Sequence, residues 1–550
     1  MRHWWEDAVF YQIYPRSFAD SNGDGIGDLA GIRGKLGYLR DLGVDALWIS
    51  PFFKSPMKDF GYDVSDYRDV DPMFGALDDL RDLLGGAKAL GIRIVLDLVA
   101  NHSSDEHPWF LEARSSTEAP KHGWYLWVPD KGRPPNNWKA IFELGTAWHP
   151  NPATGERYLG TFTRHQPEYD WRNADLREAI YDVMRYWYGL GVDGFRLDVA
   201  TAYFKDAQLR SNPLSLKANP DFFQKHIYDR NQPEVHEVFR VMRKLADDAG
   251  ERVLIGETHG QDPALAASCL GLASGHGVAS GHGGSGEELH MAFNFDFLHR
   301  PWGARSFRES AERWYAALPE GAWPNFTLSN HDQPRHFWRY RAGAWTEARA
   351  KVAAAMLLTI RGTPFLYYGE EIGMTCERIP RAALRDPLGI ATWPLRSLGR
   401  DSERTPMQWD SSVNAGFSLD PSKVSAEPWL PVNSDYASRN AAAQEGDPGS
   451  LLSWYKALIA LRRSRPELRE GAIRFLDLDV EVLAYERAVA SGPRLLVLLN
   501  FASRRKKVEL AGLARVLLGS ARAEGAVLQA GSLELGPCEA IVAEIADNHG

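Results

Sequence analysis

The feature that most constrains the fold is a repeated alternation of short apolar runs with longer amphipathic segments. Eight runs have the length and composition of buried strands: 9–14, 45–51, 93–100, 192–199, 252–257, 292–297, 324–329 and 363–368. Most are followed by a segment with apolar residues three and four positions apart, as on one face of a helix, for example 29–42, 77–90, 174–190, 234–249, 345–361 and 450–468. This alternation predicts an α/β fold, a (β/α)8 TIM barrel.

Three stretches depart from the alternation. Residues 103–171, rich in Trp, Pro, Gly and Asn, indicate a small inserted domain after the third strand. Residues 374–449 are a long irregular segment, which is unusual unless it is functional. From 469 onward, short β-like runs predict a C-terminal antiparallel β-sandwich domain. The predicted domains are therefore a barrel in two parts (1–102 and 172–468), an inserted subdomain (103–171) and a β domain (469–550).

Composition argues against some classes of binding partner and indicates the cellular compartment. The formal net charge of -9 argues against a nucleic-acid partner. Three cysteines make no disulfide framework and fit a reducing compartment. The N-terminus has no apolar signal-peptide core, and the apolar stretch 352–360 is too short to span a bilayer. We expect a soluble cytoplasmic protein without a membrane or nucleic-acid partner; no pattern indicates its oligomeric state.

Acidic residues follow three of the predicted strands. Asp198 ends the run at 191–198, Glu257 ends the run at 252–257, and Asp332 ends the run at 325–332. Side chains at the carboxyl ends of barrel strands converge on one face, where the active sites of such barrels lie. Glycosidic bond chemistry needs one ionised carboxylate and one protonated carboxyl group. The pattern therefore indicates glycosidic bond chemistry at this face.

Residues near these carboxylates predict how their charges are held. Arg196 shares a strand face with Asp198, two positions on, and is expected to keep that carboxylate ionised as a nucleophile requires. Burial and nearby negative charge are expected to raise the pKa of Glu257, which suits a general acid. The alternative for Arg196 and Asp198 is a purely structural ion pair.

Other polar side chains at strand ends are candidates for sugar binding. His331 is expected to bond sugar hydroxyls and Asp332 to stabilise positive charge, with an Asx cap on the following loop as the alternative. His102 follows the third strand, where crowded polar residues favour a ligand-facing role over a core histidine. Tyr62 offers a ring for stacking on a sugar, and Asp63 offers an acceptor for sugar hydroxyls. The alternative is that both residues only form an ordinary turn.

An oxygen-rich loop follows the first strand. It has oxygen ligands at the first, third, fifth, seventh and ninth positions of a calcium loop and glycine at the sixth. The closing glutamate at the twelfth position is absent, because Gly31 stands there. We expect calcium, with magnesium as the second choice and a metal-free Asp/Gly turn as the alternative. The expected ligands are Asp20, Asn22, Asp24, the carbonyl of Ile26, and Asp28.

A Gly/Ser/His-rich segment, 271–286, has neither helical nor strand periodicity. It predicts a flexible loop beside the active site. His276 and His282 within it allow metal binding as an alternative, but the composition favours a polar loop.

Taken together, these runs resemble glycoside hydrolase family 13, the α-amylase family, over nearly the whole chain. Within that family they are most similar to the oligo-1,6-glucosidase and α-glucosidase branch. The local matches are Val-Phe-Tyr-Gln-Ile-Tyr-Pro-Arg-Ser-Phe (9–18), Ser-Asn-Gly-Asp-Gly-Ile-Gly-Asp (21–28), Gly-Tyr-Asp-Val-Ser-Asp-Tyr (61–67) and Arg-Thr-Pro-Met-Gln-Trp (404–409).

The resemblance implies a role for each matched residue. Asp198 would be the nucleophile, Glu257 the acid/base and Asp332 the carboxylate that stabilises the transition state. The resemblance also implies that Asp63 and Arg400 close one end of the pocket, which would make the enzyme exo-acting. The residues implied to hold the non-reducing glucose are Asp63, His102, Arg196, His331 and Arg400. The loop 20–28 resembles the calcium site of this branch.

The resemblance and the residues together predict a retaining exo-acting α-glucosidase. Its expected substrates are short α-glucosides such as isomaltose, maltose and sucrose, with transglucosylation to other acceptors. Val199, after the nucleophile, resembles the 1,6-cleaving members, whereas Ala or Thr accompanies 1,4 preference. The alternative enzyme is a sucrose isomerase or trehalose synthase. A non-catalytic binding or transporter-accessory protein is the alternative from another class, but such relatives lack the carboxylates and carry a membrane helix.

Overall fold

The computed structural model describes residues 2–215, 223–258, 262–271, 287–394 and 399–546. Eight parallel strands form one sheet. In chain order, β1 to β8 are Phe10–Ile13, Ala46–Ile49, Arg93–Leu98, Gly194–Leu197, Val253–Gly256, Met291–Ala292, Asn325–Thr327 and Thr363–Tyr367. Their hydrogen-bonded order is β6-β5-β4-β3-β2-β1-β8-β7. The predicted barrel is confirmed.

Helices alternate with these strands as predicted. The segment 29–42 forms two helices, with Lys35 between them. The helices that follow β1 to β8 in turn are Leu29–Gly34 with Leu36–Leu42, Leu77–Ala89, Ala174–Leu190, Val235–Asp248, Pro263–Ser268, Ala304–Ala317, Thr346–Thr359 and Leu451–Ser464. All six helices predicted from apolar spacing are therefore present.

The sixth strand differs from its prediction. The sequence predicts a strand over 292–297, but only Met291 and Ala292 pair with β5, and Phe295–Leu298 form a short helix. Phe293 and Phe295 stack with ring centroids 5.8 Å apart. A short apolar run fits a buried strand and a buried helix equally well, so the pattern could not separate the two.

Side chains alternate across the barrel wall. Phe10, Trp48 and Val95 belong to a buried cluster inside the barrel, whereas their chain neighbours pack outward against the helices. Successive strand residues point to opposite faces, so Asp97 and Arg196 also face inward. They lie at the same level of the barrel because they are paired in register. The barrel interior is therefore apolar toward the amino ends of its strands and charged near their carboxyl ends.

A glycine allows β4 and β5 to pack at normal spacing. A Cβ atom at Gly194 would lie 2.3 Å from the carbonyl oxygen of Val253, which is closer than real Cβ contacts allow. The bare backbone at Gly194 therefore lets the strand that carries Arg196 lie directly against the strand that precedes Glu257.

Segments outside the barrel build the walls above it. A hairpin of Phe53–Lys54 and Asp66–Val70 carries the loop 55–65 after β2. The predicted insertion after β3 contains a three-stranded antiparallel sheet of Trp127–Pro129, Glu156–Leu159 and Trp148–Asn151. Within the described ranges, no helix is both long and apolar enough to cross a membrane.

The C-terminal region forms the predicted antiparallel β-sandwich. The larger sheet contains, in spatial order, Ala472–Asp479, Val482–Ala488, Arg494–Asn500, Ala540–Ile545, Ala514–Gly519 and Val527–Leu528. The second sheet pairs Lys506–Leu510 with Gly531–Leu535. Leu498, Val508 and Leu535 share one buried cluster between the two sheets. The opposite face of the larger sheet packs into the main core through Leu499 and Val542.

Candidate active site

A cavity of about 620 Å³ lies at the carboxyl ends of the barrel strands. This volume is in the usual range of small-molecule sites. Of the predicted catalytic and sugar-binding residues, only Arg196 and Asp63 do not line it. Those that do are Tyr62, His102, Asp198, Glu257, His331, Asp332 and Arg400. The structure thus brings together residues that follow six of the eight strands and are far apart in the chain.

One guanidinium group organises the floor of this cavity. Nη1 of Arg196 donates to Asp97 and to Asp198, each at 2.7 Å, and Nη2 lies 2.6 Å from Glu257. The Arg196 side chain is only 2% exposed, and its guanidinium lies 5.1 Å from the ring centre of Trp48. Asp198 and Glu257 therefore contact neighbouring nitrogens of the same cation, which holds the two carboxylates close together.

Three carboxylates around one cation leave excess negative charge. Burial, together with the charges of Glu257 and Asp97, raises the pKa of Asp198 well above its usual range, although Arg196 opposes the shift. Burial likewise raises the pKa of Asp97 to about 6. Arg196 lowers the pKa of Asp198 as expected, but burial and the two neighbouring carboxylates raise it by more. The ionised state of Asp198 stays a prediction.

The backbone after Asp198 orients Glu257. Val199 has φ +39° and ψ +40°, a left-handed conformation that is strained for a β-branched residue. The N–H of Val199 donates to Oε2 of Glu257 at 2.9 Å. The N–H of Ala200 donates to the Glu257 carbonyl oxygen at 3.0 Å. The two strand ends are thus joined through the candidate acid.

Asp332 lies among cations on another side of the cavity. Arg404 donates to its Oδ1 at 2.8 Å and Arg400 at 3.3 Å. Burial alone raises the pKa of Asp332, but His331, Arg400 and Arg404 lower it by more, so its pKa lies well below the usual range. This carboxylate is therefore ionised across the neutral range and suited to stabilise positive charge.

Tyr62 and His331 form a stacked polar wall. Their rings lie 5.3 Å apart at an angle of 4°. The Tyr62 hydroxyl is 2.7 Å from Nε2 of His331 and 3.1 Å from Asp97, so this wall is linked to the carboxylate cluster. Burial lowers the pKa of His331 to about 3 and that of His102 to about 4. Both rings are therefore neutral, and each offers one donor and one acceptor.

Asp63 is not where it was predicted to act. Its oxygens accept the N–H groups of Lys58 and Asp59 at 2.8 and 2.9 Å and the Ser55 hydroxyl at 2.9 Å. It is completely buried, and Asp59 rather than Asp63 binds Arg400, at 2.8 Å. Asp63 was predicted to bind glucose and to close the pocket together with Arg400, but it shapes the loop, and Asp59 reaches the cavity.

The sequence analysis missed four residues of this site. Asp59 lies four positions before Asp63, so the carboxylate was placed in the correct loop at the wrong residue. Gln166 lies in the inserted segment and donates to Asp59 at 3.0 Å, and no periodic pattern marks it. Phe142 packs 4.1 Å below the guanidinium of Arg400. Arg404 stood within a matched motif, but only the fold brings it to Asp332.

The predicted calcium loop is held by its own backbone. Asp20 accepts N–H groups of Asn22, Gly23 and Gly25, and Asp28 caps the following helix at Gly31. The set of carboxylate, amide and carbonyl oxygens suits a hard cation such as calcium. Among the residues that the structure describes, no group of three or more His, Cys, Asp or Glu side chains is arranged to hold a metal. Calcium would therefore also need Asn22 and Ile26.

The predicted loop 271–286, with His276 and His282, lies outside the described residues apart from Gly271. Cys269, Cys376 and Cys538 are buried and free. Cys376 lies beside the cavity, where burial raises the pKa of its thiol to about 11, so it is not a nucleophile at neutral pH.

Comparison with known proteins identifies the family. The model of the alpha amylase catalytic domain matches residues 12–471. The chain belongs to the α-amylase family of glycoside hydrolases. A probable alpha-glucosidase of Rhizobium meliloti (strain 1021) is 42% identical over 501 residues, which cover 88% of this chain and 87% of that protein. An oligo-1,6-glucosidase of Parageobacillus thermoglucosidasius is 38% identical over 536 residues, 92% of this chain and 91% of that protein.

A solved structure supports the same assignment. The trehalulose synthase of Pseudomonas mesoacidophila MX-45 superimposes with a TM-score of 0.87 and 35% sequence identity, and the match covers 99% of this chain and 100% of that one. This match therefore includes the barrel, the insertion and the C-terminal β domain, whereas the family model ends at residue 471.

The two neighbouring aspartates are expected to respond differently to mutation. Asp59→Asn weakens the contact that positions Arg400, so kcat/KM for 4-nitrophenyl α-glucoside should fall about 100-fold with little change in Tm. Asp63→Asn puts an amide where N–H donors need an acceptor, so it should cost about 1–3 kcal/mol of unfolding free energy. Steady-state kinetics and thermal melts of both variants test this. A loss of activity in Asp63→Asn together with a loss of stability in Asp59→Asn would refute the assignment of Asp59 to the cavity.

The carboxylate cluster predicts a shifted pH profile. The charge of Asp97 raises the pKa of Asp198, so Asp97→Asn should lower that pKa. The acidic limb of kcat/KM, which reports the group that must lose a proton in the free enzyme, should move to lower pH even if the maximal rate drops. The exposed Asp78→Asn variant is the control and should not shift. A move of the limb to higher pH would contradict the cluster electrostatics.

Proposed function

We propose that this chain is a retaining, exo-acting α-glucosidase that removes terminal α-linked glucose from short glucosides. The observation that carries the proposal is the contact of Asp198 and Glu257 with one guanidinium group. Retention requires the two carboxyl groups to be about 5 Å apart, whereas inversion needs room for a water between them. The shared cation favours the shorter spacing.

The chemistry proceeds in two displacements. Asp198 attacks the anomeric carbon and forms a β-glucosyl ester, while Glu257 donates its proton to the departing oxygen. Glu257 then takes a proton from water, whose oxygen attacks the same carbon and releases Asp198 as a carboxylate. The α configuration is thereby restored. Asp332, held ionised beside Arg404, stabilises the positive charge that develops on the sugar ring.

The closed end of the cavity supports exo action. Arg400 binds Asp59 at 2.8 Å and Asp386 at 2.7 Å and lies over Phe142. This charged contact joins the loop after β2 to the segment after β8 across the glucose end. A chain that continued beyond the non-reducing glucose would have to displace it. Short substrates such as isomaltose, maltose or sucrose therefore fit better than internal starch segments.

Val199 favours 1,6-linked substrates within this proposal. Its side chain borders the cavity and packs with Phe162 and Ala202, directly beside Asp198. The oligo-1,6-glucosidase relative supports the same linkage. Sucrose isomerisation or transfer to another sugar is the second candidate, supported by the likeness to a trehalulose synthase. Both activities share the glucosyl ester and differ in the acceptor that resolves it.

The proposal predicts the products of a small substrate panel. Isomaltose, maltose, sucrose, trehalose and soluble starch are incubated with the wild type and with Asp198→Asn, and products are separated by chromatography. We expect glucose from disaccharides, released first as the α anomer by NMR, little release from starch, and loss of about 10⁴-fold or more in the variant. Rearranged disaccharides would favour the isomerase, and internal cleavage of starch would refute exo action.

We further propose that the loop 20–28 binds a structural calcium ion. Its oxygen donors support this, and the exposed carboxylate of Asp24 accepts the N–H of Ile26 and an amide hydrogen of Asn22. Magnesium is the second choice, because it demands stricter geometry.

Calcium removal is expected to destabilise the fold. An ion at 100 times its Kd adds about 2.7 kcal/mol to the free energy of unfolding, so chelation should lower Tm by several degrees and added calcium should restore it. Asp24→Ala should remove this response, while the exposed Asp41→Ala variant should keep it. A wild-type Tm that changes with neither chelator nor added calcium would exclude a calcium ion in this loop.

The compartment also follows as a proposal. We infer a cytoplasmic location, because the three cysteines are free and buried, as reducing conditions allow.

A further inference from the structure

A buried ion pair joins the segment after Asp198 to the inserted domain. Nζ of Lys205 and Oε2 of Glu168 are 2.6 Å apart, and the side chains are 2% and 1% exposed. Neither residue lines the cavity, and neither takes part in the two displacements. A buried pair of this kind often contributes no more stability than apolar residues of similar size. Its role is therefore better sought in the groups that the two side chains hold in place.

The ammonium group of Lys205 holds a backbone turn. It donates to the carbonyl oxygen of Ala202, at the end of the 3₁₀ turn Ala200–Ala202. The N–H of Ala202 in turn donates to the Val199 carbonyl at 2.8 Å. Lys205 therefore holds the far end of the turn whose near end is the strained residue beside the nucleophile.

Glu168 gives the pair a rigid anchor. Its Oε1 accepts the N–H of Thr161 at 3.0 Å, and its own N–H donates to Leu159 at 2.9 Å. Glu168 also forms an isolated antiparallel bridge with His102, next to β3. The anion is therefore fixed by the insertion and by the end of a barrel strand.

The turn controls the candidate acid. The N–H of Val199 donates to Oε2 of Glu257 at 2.9 Å, and the N–H of Ala200 donates to the Glu257 carbonyl oxygen at 3.0 Å. We propose that Lys205 is a positioning residue, which keeps Glu257 in its proton-donating position by holding the Val199–Ala202 turn against Glu168. This inference deepens the proposed function and rests on the role of Glu257 as acid. It also assigns the inserted domain a part in catalysis.

Leaving-group dependence tests this role. Methyl α-glucoside needs a proton from the acid to release methanol, whereas 4-nitrophenyl α-glucoside releases a stable phenolate with little assistance. In Lys205→Met we expect kcat/KM, which reports the step that releases the leaving group, to fall about 100-fold for the methyl glucoside, within the range that general acids contribute, and less than about 10-fold for the nitrophenyl glucoside. Lys225→Met, an exposed lysine nearby, is the control.

A double variant separates positioning from stability. Lys205→Met with Glu168→Met removes both buried charges, so Tm should recover relative to Lys205→Met alone, while the loss specific to methyl α-glucoside remains. Recovery of wild-type kcat/KM on both substrates would show a purely structural pair and overturn the inference. Equal losses on both substrates would also overturn it. If Lys205→Met does not fold, the double variant and Glu168→Gln decide by the same ratio.

The two proposals fail in different ways. A wild type that cleaves neither glucoside overturns the α-glucosidase itself and the positioning role with it. A wild type that cleaves both, with variants that lose both activities alike, overturns only the role of Lys205.

Discussion

The contact of Arg196 with three carboxylates is the interaction on which the rest of the site depends. A buried guanidinium group is costly to desolvate, and three buried carboxylates are costly without a cation. One positive charge does not balance three negative ones. The raised pKa values of Asp198 and Asp97 express this imbalance. Glycosidic cleavage needs one protonated and one ionised carboxyl group, and this cluster places two carboxyl groups on one cation.

The barrel makes this arrangement feasible by its alternation of side chains. Inward-facing residues are apolar in the lower layer, as at Phe10 and Val95, and charged one layer higher, at Asp97 and Arg196. The charged layer is covered from above by the loop after β2, the insertion and the segment after β8. Arg400 joins two of these covers through Asp59 and Asp386. Exclusion of water there strengthens every charge interaction beneath.

The barrel was predictable because strands buried on both faces are continuous apolar runs. Where a run was short and followed by aromatic residues, as at 292–297, the same signal fitted a helix and the prediction was wrong. The carboxylates were predictable from their place at strand ends and by resemblance. Asp63 was misassigned because two aspartates four positions apart in one loop look alike in sequence, and only the folded hairpin shows which carboxylate is bound by backbone N–H groups.

The sequence by itself determined the barrel, the positions of the insertion and the β-sandwich, and the three strand ends that carry carboxylates. These depend on local periodicity and on chain order, which a sequence contains directly. Only the tertiary structure decided that Asp59 meets Arg400, that Arg404 and Gln166 belong to the site, and that Asp198 holds a raised pKa. These properties depend on distances between side chains and on burial, which arise only when remote segments pack together.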